Sequence, residues 1–325
     1  DVGRLLADAR VLAGSLRDDD GNPGLDLGAA LGAGTRAGRD KLAIADADSG
    51  IVGFGDWAEQ LIAESTGKEG TGLLPVVVEG TAAPGFADAP GDTQRVVLGR
   101  APGDDDVISV AGSLGAQFLL WEFATAVAGK VIGINPFDQP NVAESKDNTR
   151  TLLAEAGDGP LPTGRPVLVD GPVEVHGDIE GPGEPKDLDG VLEGLLAQVP
   201  DRGYLAVMAY LDRHGQSEAA RVRPALAARL GGRATTFGWG PRFLHSTGQF
   251  HKGGPPVGVF LQVTGAVERD VEVPGRPYSF GRLQLAQALG DLRAITGRGR
   301  PVVRLHLTDR DAGVRRLLEA CGGRP

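Results

Sequence analysis

Apolar and polar positions alternate along the chain in two rhythms, and the rhythms take turns. Helical spacing runs over Val2 to Leu16 and over Leu25 to Arg39, with the turn signal Asn22-Pro23-Gly24 between them. Lys41 to Ile44 reads as a short strand, and Phe54 to Ser65 as a helix with Trp57, Leu61 and Ile62 on one face. Leu74 to Val78, Arg95 to Leu98 and Val107 to Val110 are β-branched and strand-like, and Leu114 to Ala128 is a strongly apolar helix. The short apolar run Val131 to Asn135 (VIGIN) reads as a buried strand.

After the Gly- and Pro-rich stretch 157–185, which holds one strand candidate at Pro166 to Val169, the series resumes. It continues through helix Leu188 to Gln198, strand Tyr204 to Tyr210, helix Glu218 to Leu230 and strand Ala234 to Phe237. A loop, Gly238 to Pro256, precedes strand Val257 to Val263, helix Gly281 to Ile295 and strand Val302 to Leu307. Strands alternating with helices predict an α/β fold with a mostly parallel sheet. The expected organisation is an α/β domain over 1–156, an excursion or linker over 157–185, and a second α/β region over 186–325.

Composition narrows the function classes. The net charge of −10 argues against nucleic-acid binding, because a phosphate backbone rewards a basic surface. A small anionic ligand stays compatible, since one site can be positive on an acidic protein. No apolar run reaches the roughly 18 residues that a membrane helix needs, so no membrane partner is expected. The single cysteine, Cys321, excludes an internal disulfide and a cysteine metal site, and points to a reducing cytoplasm. The chain opens at Asp1, without Met and inside an amphipathic pattern, so an upstream segment is expected.

Three polar segments carry the candidate chemistry. Phe137 to Lys146 (FDQPNVAESK) follows the apolar run at what the pattern makes a sheet edge, where open α/β sheets bind ligands, and it places Lys146 one to two helical turns on. Glu64 to Lys68 (ESTGK) ends a helix, with Gln60 four residues before Glu64 on the same face. Taken alone, Glu64 reads as a solvated acid at a helix end, and beside a Ser-Thr-Gly turn as a general base for a sugar. Phe243 to Pro255 (FLHSTGQFHKGGP) is the densest polar loop and holds His245 and His251, groups able to move a proton both ways near neutral pH. No acid or cysteine sits at ligand spacing beside them, so no metal is expected. His176, His214 and His306 read as structural or solvated.

These residues carry a family resemblance. Leu114 to Lys146 (LGAQFLLWEFATAVAGKVIGINPFDQPNVAESK) resembles the C-terminal signature of glucose-6-phosphate isomerase, and Glu59 to Lys68 (EQLIAESTGK) resembles the same family's Gln-x-x-x-Glu-Ser-x-Gly-Lys segment. The second half, with its His-Ser-Thr-Gly-Gln-x-His-Lys-Gly-Gly-Pro segment, is similar to the isomerase part of bacterial transaldolase/glucose-6-phosphate isomerase fusions. The resemblance implies sugar-isomerase (SIS) type three-layer α/β domains, no cofactor, a sugar phosphate substrate, and a role in glycolysis and gluconeogenesis. An oligomer, or a fused or upstream isomerase or transaldolase segment, is compatible with it.

It also implies roles. Glu64 is the base that moves a proton between C2 and C1, Lys146 assists ring opening, and His251, with His245 in reserve, opens the ring. Gln60, Ser65, Thr66, Gly67, Gln139 and Gln249 contact the substrate. The family's Gly-Gly-Arg-Tyr/Phe-Ser segment and its Ser/Thr-rich phosphate loop are not among these 325 residues, and are expected before Asp1. The competing expectations are a non-catalytic sugar-phosphate sensor and a transaldolase. The latter needs a Schiff-base lysine on an eight-unit barrel, a pattern the sequence lacks.

Overall fold

The computed structural model describes residues 1–100, 103, 106–177 and 185–322. The stretch 178–184 of the Gly/Pro-rich excursion lies outside the described residues. The fold is α/β and separates into two compact units: Asp1–Pro140 with Gln249–Pro255, and Asn141–Gly248 with Pro256–Pro325.

The first unit opens with helices α1 (Val2–Ser15) and α2 (Pro23–Arg36), followed by β1 (Lys41–Ala47), α3 (Phe54–Thr66), β2 (Leu74–Val77), β3 (Thr93–Gly99), β4 (Val107–Val110) and α4 (Leu114–Ile132). Asn22 caps α2 by accepting from the backbone N–H groups of Gly24 and Leu25, and Pro23 fills the first turn, where its missing N–H costs nothing. The strands form a parallel sheet in the order β2-β1-β3-β4. Its core includes Leu42, Ile44, Ile62, Val96, Leu98 and the fully buried Trp121.

The expected strand Val131 to Asn135 does not form. Val131 and Ile132 complete the 19-residue helix α4, and Gly133 ends it in the left-handed conformation at φ 98°. Packing explains the outcome. Along α2, Gly24, Gly28 and Gly32 recur at one-turn spacing, and α4 lies against them so closely that a Cβ at Gly32 would sit 2.6 Å from Cβ of Val131. Such a small-residue seam brings two helix backbones together, and it recruits Val131 to the helix. The motif Phe137 to Lys146 therefore follows a helix end and not a sheet edge.

The second unit contains α5 (Val142–Ala156), the hairpin β5 (Leu168–Asp170) and β6 (Val173–His176), α6 (Leu188–Ala197), β7 (Tyr204–Tyr210), α7 (Val222–Arg229) and β8 (Thr235–Trp239). Helix α8 (Ser246–Gly253) begins in this unit and ends in the first. β9 (Gly258–Gly265), α9 (Phe280–Thr296), β10 (Val302–Leu307) and α10 (Arg310–Ala320) complete the chain. The sheet order is β5-β6-β10-β9-β7-β8, with β7 to β10 parallel and β6 antiparallel to β10. One sheet face is a continuous apolar core built on Val207, Leu261 and Leu305, while residues of alternate register on the other face include Gln262, Thr264, Arg304 and His176.

Four local readings change. Part of the 157–185 excursion is a hairpin, because Val173 and Val175 supply a buried alternation that pairs with β10. The polar loop Gly238 to Pro256 contains α8. Helix α10 lies beyond the last element expected from the pattern, and Asp309 caps it by accepting from Ala312 N–H. Helix α5 belongs to the second unit, so the division falls at Pro140 and not at 156. Three contacts hold it there: Ser145 Oγ donates to Asp291 Oδ1 at 2.9 Å, Asn148 donates to the Gly290 carbonyl at 3.3 Å, and Arg298 clamps Glu144 with two bonds of 2.7 and 2.6 Å.

Candidate functional site

In the first unit, three polar segments meet at the C-terminal end of α3. Phe54, Ala58, Ile62 and Thr66, four residues apart, bury one stripe of this helix. Gln60 and Glu64, also four apart, occupy another: Gln60 is exposed and Glu64 half-buried, as is Ser65. Thr66 is buried and its hydroxyl is committed to backbone. It donates to the Ile62 carbonyl at 2.8 Å and accepts from Leu73 N–H at 3.1 Å, closing the turn after the helix.

Gly67 is where the second segment touches. A Cβ there would lie 2.4 Å from Cα of Phe250, so only glycine admits this approach. The Gly67 carbonyl accepts from the side-chain amide of Gln249 at 2.9 Å, and Gly70 N–H donates to the Gly253 carbonyl at 2.9 Å. Gln249 is fully buried, and His251, two residues on, is 1% exposed.

Lys68 joins the third segment. Its ammonium donates to the Asn135 carbonyl and to Asp138 Oδ1, each at 2.8 Å, and also to the Asp138 carbonyl. The lysine is completely buried, whereas Asp138 is about half exposed. Asn135 shapes the same turn by accepting the Phe137 N–H on its side chain at 3.0 Å. Gln139, directly after the clamped Asp138, is exposed.

The first unit thus brings Gln60, Glu64, Ser65, Thr66, Gly67, Gln139, Gln249 and His251 into one compact body. Thr66, Gly67 and Gln249 serve there as scaffold through the bonds above. Lys146 and His245 belong to the second unit. Lys146 is half-buried on α5, beside the buried Ser145 anchor. His245 is exposed, one residue before Ser246, whose φ of 29° is unusual for a side-chain-bearing residue. A separate crevice of about 150 Å³, lined by Asp46, Gly53, Asp56 and Val77 among others, includes none of the expected site residues.

Lys68 makes the contact that the sequence pattern conceals. It stands inside a motif segment, but its acceptors lie 67 and 70 residues away, beyond the reach of any periodicity. His176 and His306 fall in strands of the second unit. Burial, and then the nearby Arg304 charge, hold both imidazoles below their ordinary pKa. Burial likewise draws the Arg304 guanidinium down to about 10. Among the described residues, no group of three His, Cys, Asp or Glu side chains is placed to hold a metal ion, and no helix is long and apolar enough to cross a membrane.

Comparison with known proteins adds one short similarity. No family model matches the chain. A 45-residue stretch, 14% of the chain, is 44% identical to glucose-6-phosphate isomerase from Leptospira biflexa serovar Patoc, in two strains. That stretch covers 10% of each of these curated relatives. The crystal structure of a hypothetical protein from Thermus thermophilus aligns over 98% of this chain and 88% of its own at 14% identity, with a TM-score of 0.37, a likeness too weak to bear on the fold.

Proposed function

We propose that the chain carries aldose–ketose isomerisation of glucose 6-phosphate and fructose 6-phosphate through a cis-enediol. The observation that supports this reading most is the convergence of the segment holding Glu64 with the turn holding Asp138 and Gln139. These are the two segments whose sequences resemble the isomerase signatures, and Lys68 binds one to the other. The 45-residue stretch that is 44% identical to an isomerase points the same way.

In this reading Glu64 removes the proton from C2 and returns it to C1. A carboxylate beside a carbonyl needs only modest reach, and general-base catalysis of this kind contributes on the order of 10²–10⁴-fold. Gln60, one turn earlier on the same stripe and exposed, contacts the sugar. Lys146 is given the ring oxygens, where a fixed cation favours developing negative charge. Ring opening is assigned to His251, which shares the first unit with Glu64, with His245 in reserve.

The test is proton exchange at C2 in the complete protein. Glu64→Gln is isosteric and removes the base, so exchange should fall by about 10²-fold or more while sugar phosphate still binds. Exchange at the wild-type rate in that variant would remove Glu64 from the mechanism. A sugar-phosphate sensor has no need for a base, and would show binding without exchange in the wild type as well.

A further inference from the structure

We infer that Lys68 is a positioning residue for the reaction proposed above, holding the Asn135–Asp138 turn against the end of the helix that carries Glu64. The inference rests on that reading for its catalytic consequence, and on geometry alone for the clamp. An ammonium with no solvent exposure is expensive to bury unless every donor is used and a counter-charge is near. Lys68 meets both demands with groups from a single turn: the Asn135 carbonyl, the Asp138 carbonyl and the Asp138 carboxylate.

Its own backbone is fixed as tightly. Lys68 N–H donates to the Thr66 and Thr71 carbonyls, at 2.9 and 3.2 Å, and its carbonyl accepts from Thr71 N–H at 3.0 Å. The turn that begins two residues after Glu64 ends in a locked lysine, and the lysine locks a second turn. That second turn follows Gly133, whose left-handed backbone ends α4, and it contains Pro136 and Asn135 but no regular ladder of its own. Independently of Lys68, the Asn135 side chain accepts from Phe137 N–H. Gln139 follows the clamped Asp138 directly, so the clamp sets where that side chain starts.

The experiment combines local hydrogen exchange with steady-state kinetics on the complete protein. Lys68→Met keeps the length of the stem and removes the ammonium. Amides of residues 67–71 and 135–139 should lose protection while the β1 to β3 sheet keeps its own. Because a displacement of about 1 Å near reacting groups can cost on the order of 10²-fold, kcat/KM per folded molecule should fall by about 10- to 100-fold. A merely structural lysine would lower protection evenly through the unit and leave kcat/KM per folded molecule unchanged, and that result would overturn the inference.

Should Lys68→Met fail to fold, Asp138→Ala gives the same test from the half-exposed side of the pair. It should loosen 135–139 and reduce kcat/KM in the same direction, and wild-type values of both would overturn the clamp. The two readings fail differently. Localised loss of protection in a wild type that catalyses no isomerisation refutes the reaction and leaves the clamp. Active wild type with an unaffected Lys68→Met refutes the clamp and leaves the reaction.

Discussion

Replacing Gly67 by alanine should disconnect the Gln249–Pro255 segment from the first unit, and the structure allows the cost to be worked out. Gly67 has φ −78° and ψ 74°, close to the inverse γ-turn minimum, so alanine adopts this backbone without strain. The penalty is therefore steric. The new Cβ would stand 2.4 Å from Cα, 2.6 Å from Cβ and 2.7 Å from Cδ2 of Phe250. Two of the three clashing atoms lie on or next to the backbone, so no rotamer change relieves them. Overpacking of this kind costs about 1–3 kcal/mol. If the segment retreats, the buried Gln249 amide loses its Gly67 acceptor, which costs about 1–3 kcal/mol for an unsatisfied buried group. Stiffening the unfolded chain returns about 0.4–1 kcal/mol. The net destabilisation is about 1–5 kcal/mol. Urea titration should show a lower midpoint with an unchanged slope, and exchange of the 249–254 amides should rise most. A change below about 0.5 kcal/mol, with Gln249 still protected, would refute the reasoning.

Acid should weaken the second unit before any carboxylate responds. His176 and His306 are held below their ordinary value, so below about pH 6.5 the unfolded chain binds more protons than the folded one and stability falls with pH; above that window it is flat. Asp170 is held down by Arg316, so the stability it gives is lost only below the ordinary carboxylate range, and a comparison of pH 7.5 with pH 5.5 isolates the imidazoles. Equal urea midpoints at those two values would contradict this account. Cys321 is 2% exposed and burial pushes its thiol up to about 12, so iodoacetamide should label it only after unfolding; rapid native labelling would contradict its placement.

The boundary between what was legible and what was not follows from range. Strands such as Tyr204–Tyr210 declare themselves by an unbroken apolar run, and α3 by its four-residue stripe. The run Val131 to Asn135 misleads because a short apolar stretch fits a buried strand and a helix end alike, and the deciding partner, Gly32, is about a hundred residues away. The glycines and polar groups of Ser246–Gly253 resemble a loop, yet form a helix whose latter half is fixed by Gly67 and Gly70, partners again remote in sequence. In the site, Glu64 and Gln60 were legible as neighbours on one helix. The backbone bonds of Thr66 and Gln249 were not legible, because the Leu73 and Gly67 groups they meet are set by the fold, and Lys68 was hidden because its charge partner is visible only in three dimensions.

The most direct measurement of the central claim is incubation of the complete protein with glucose 6-phosphate in deuterated water. Proton transfer through an enediol predicts fructose 6-phosphate together with deuterium at C2 of the recovered glucose 6-phosphate, and both signals should collapse in Glu64→Gln. Saturable binding of the sugar phosphate, with neither product nor deuterium in the wild type, would contradict the isomerase account.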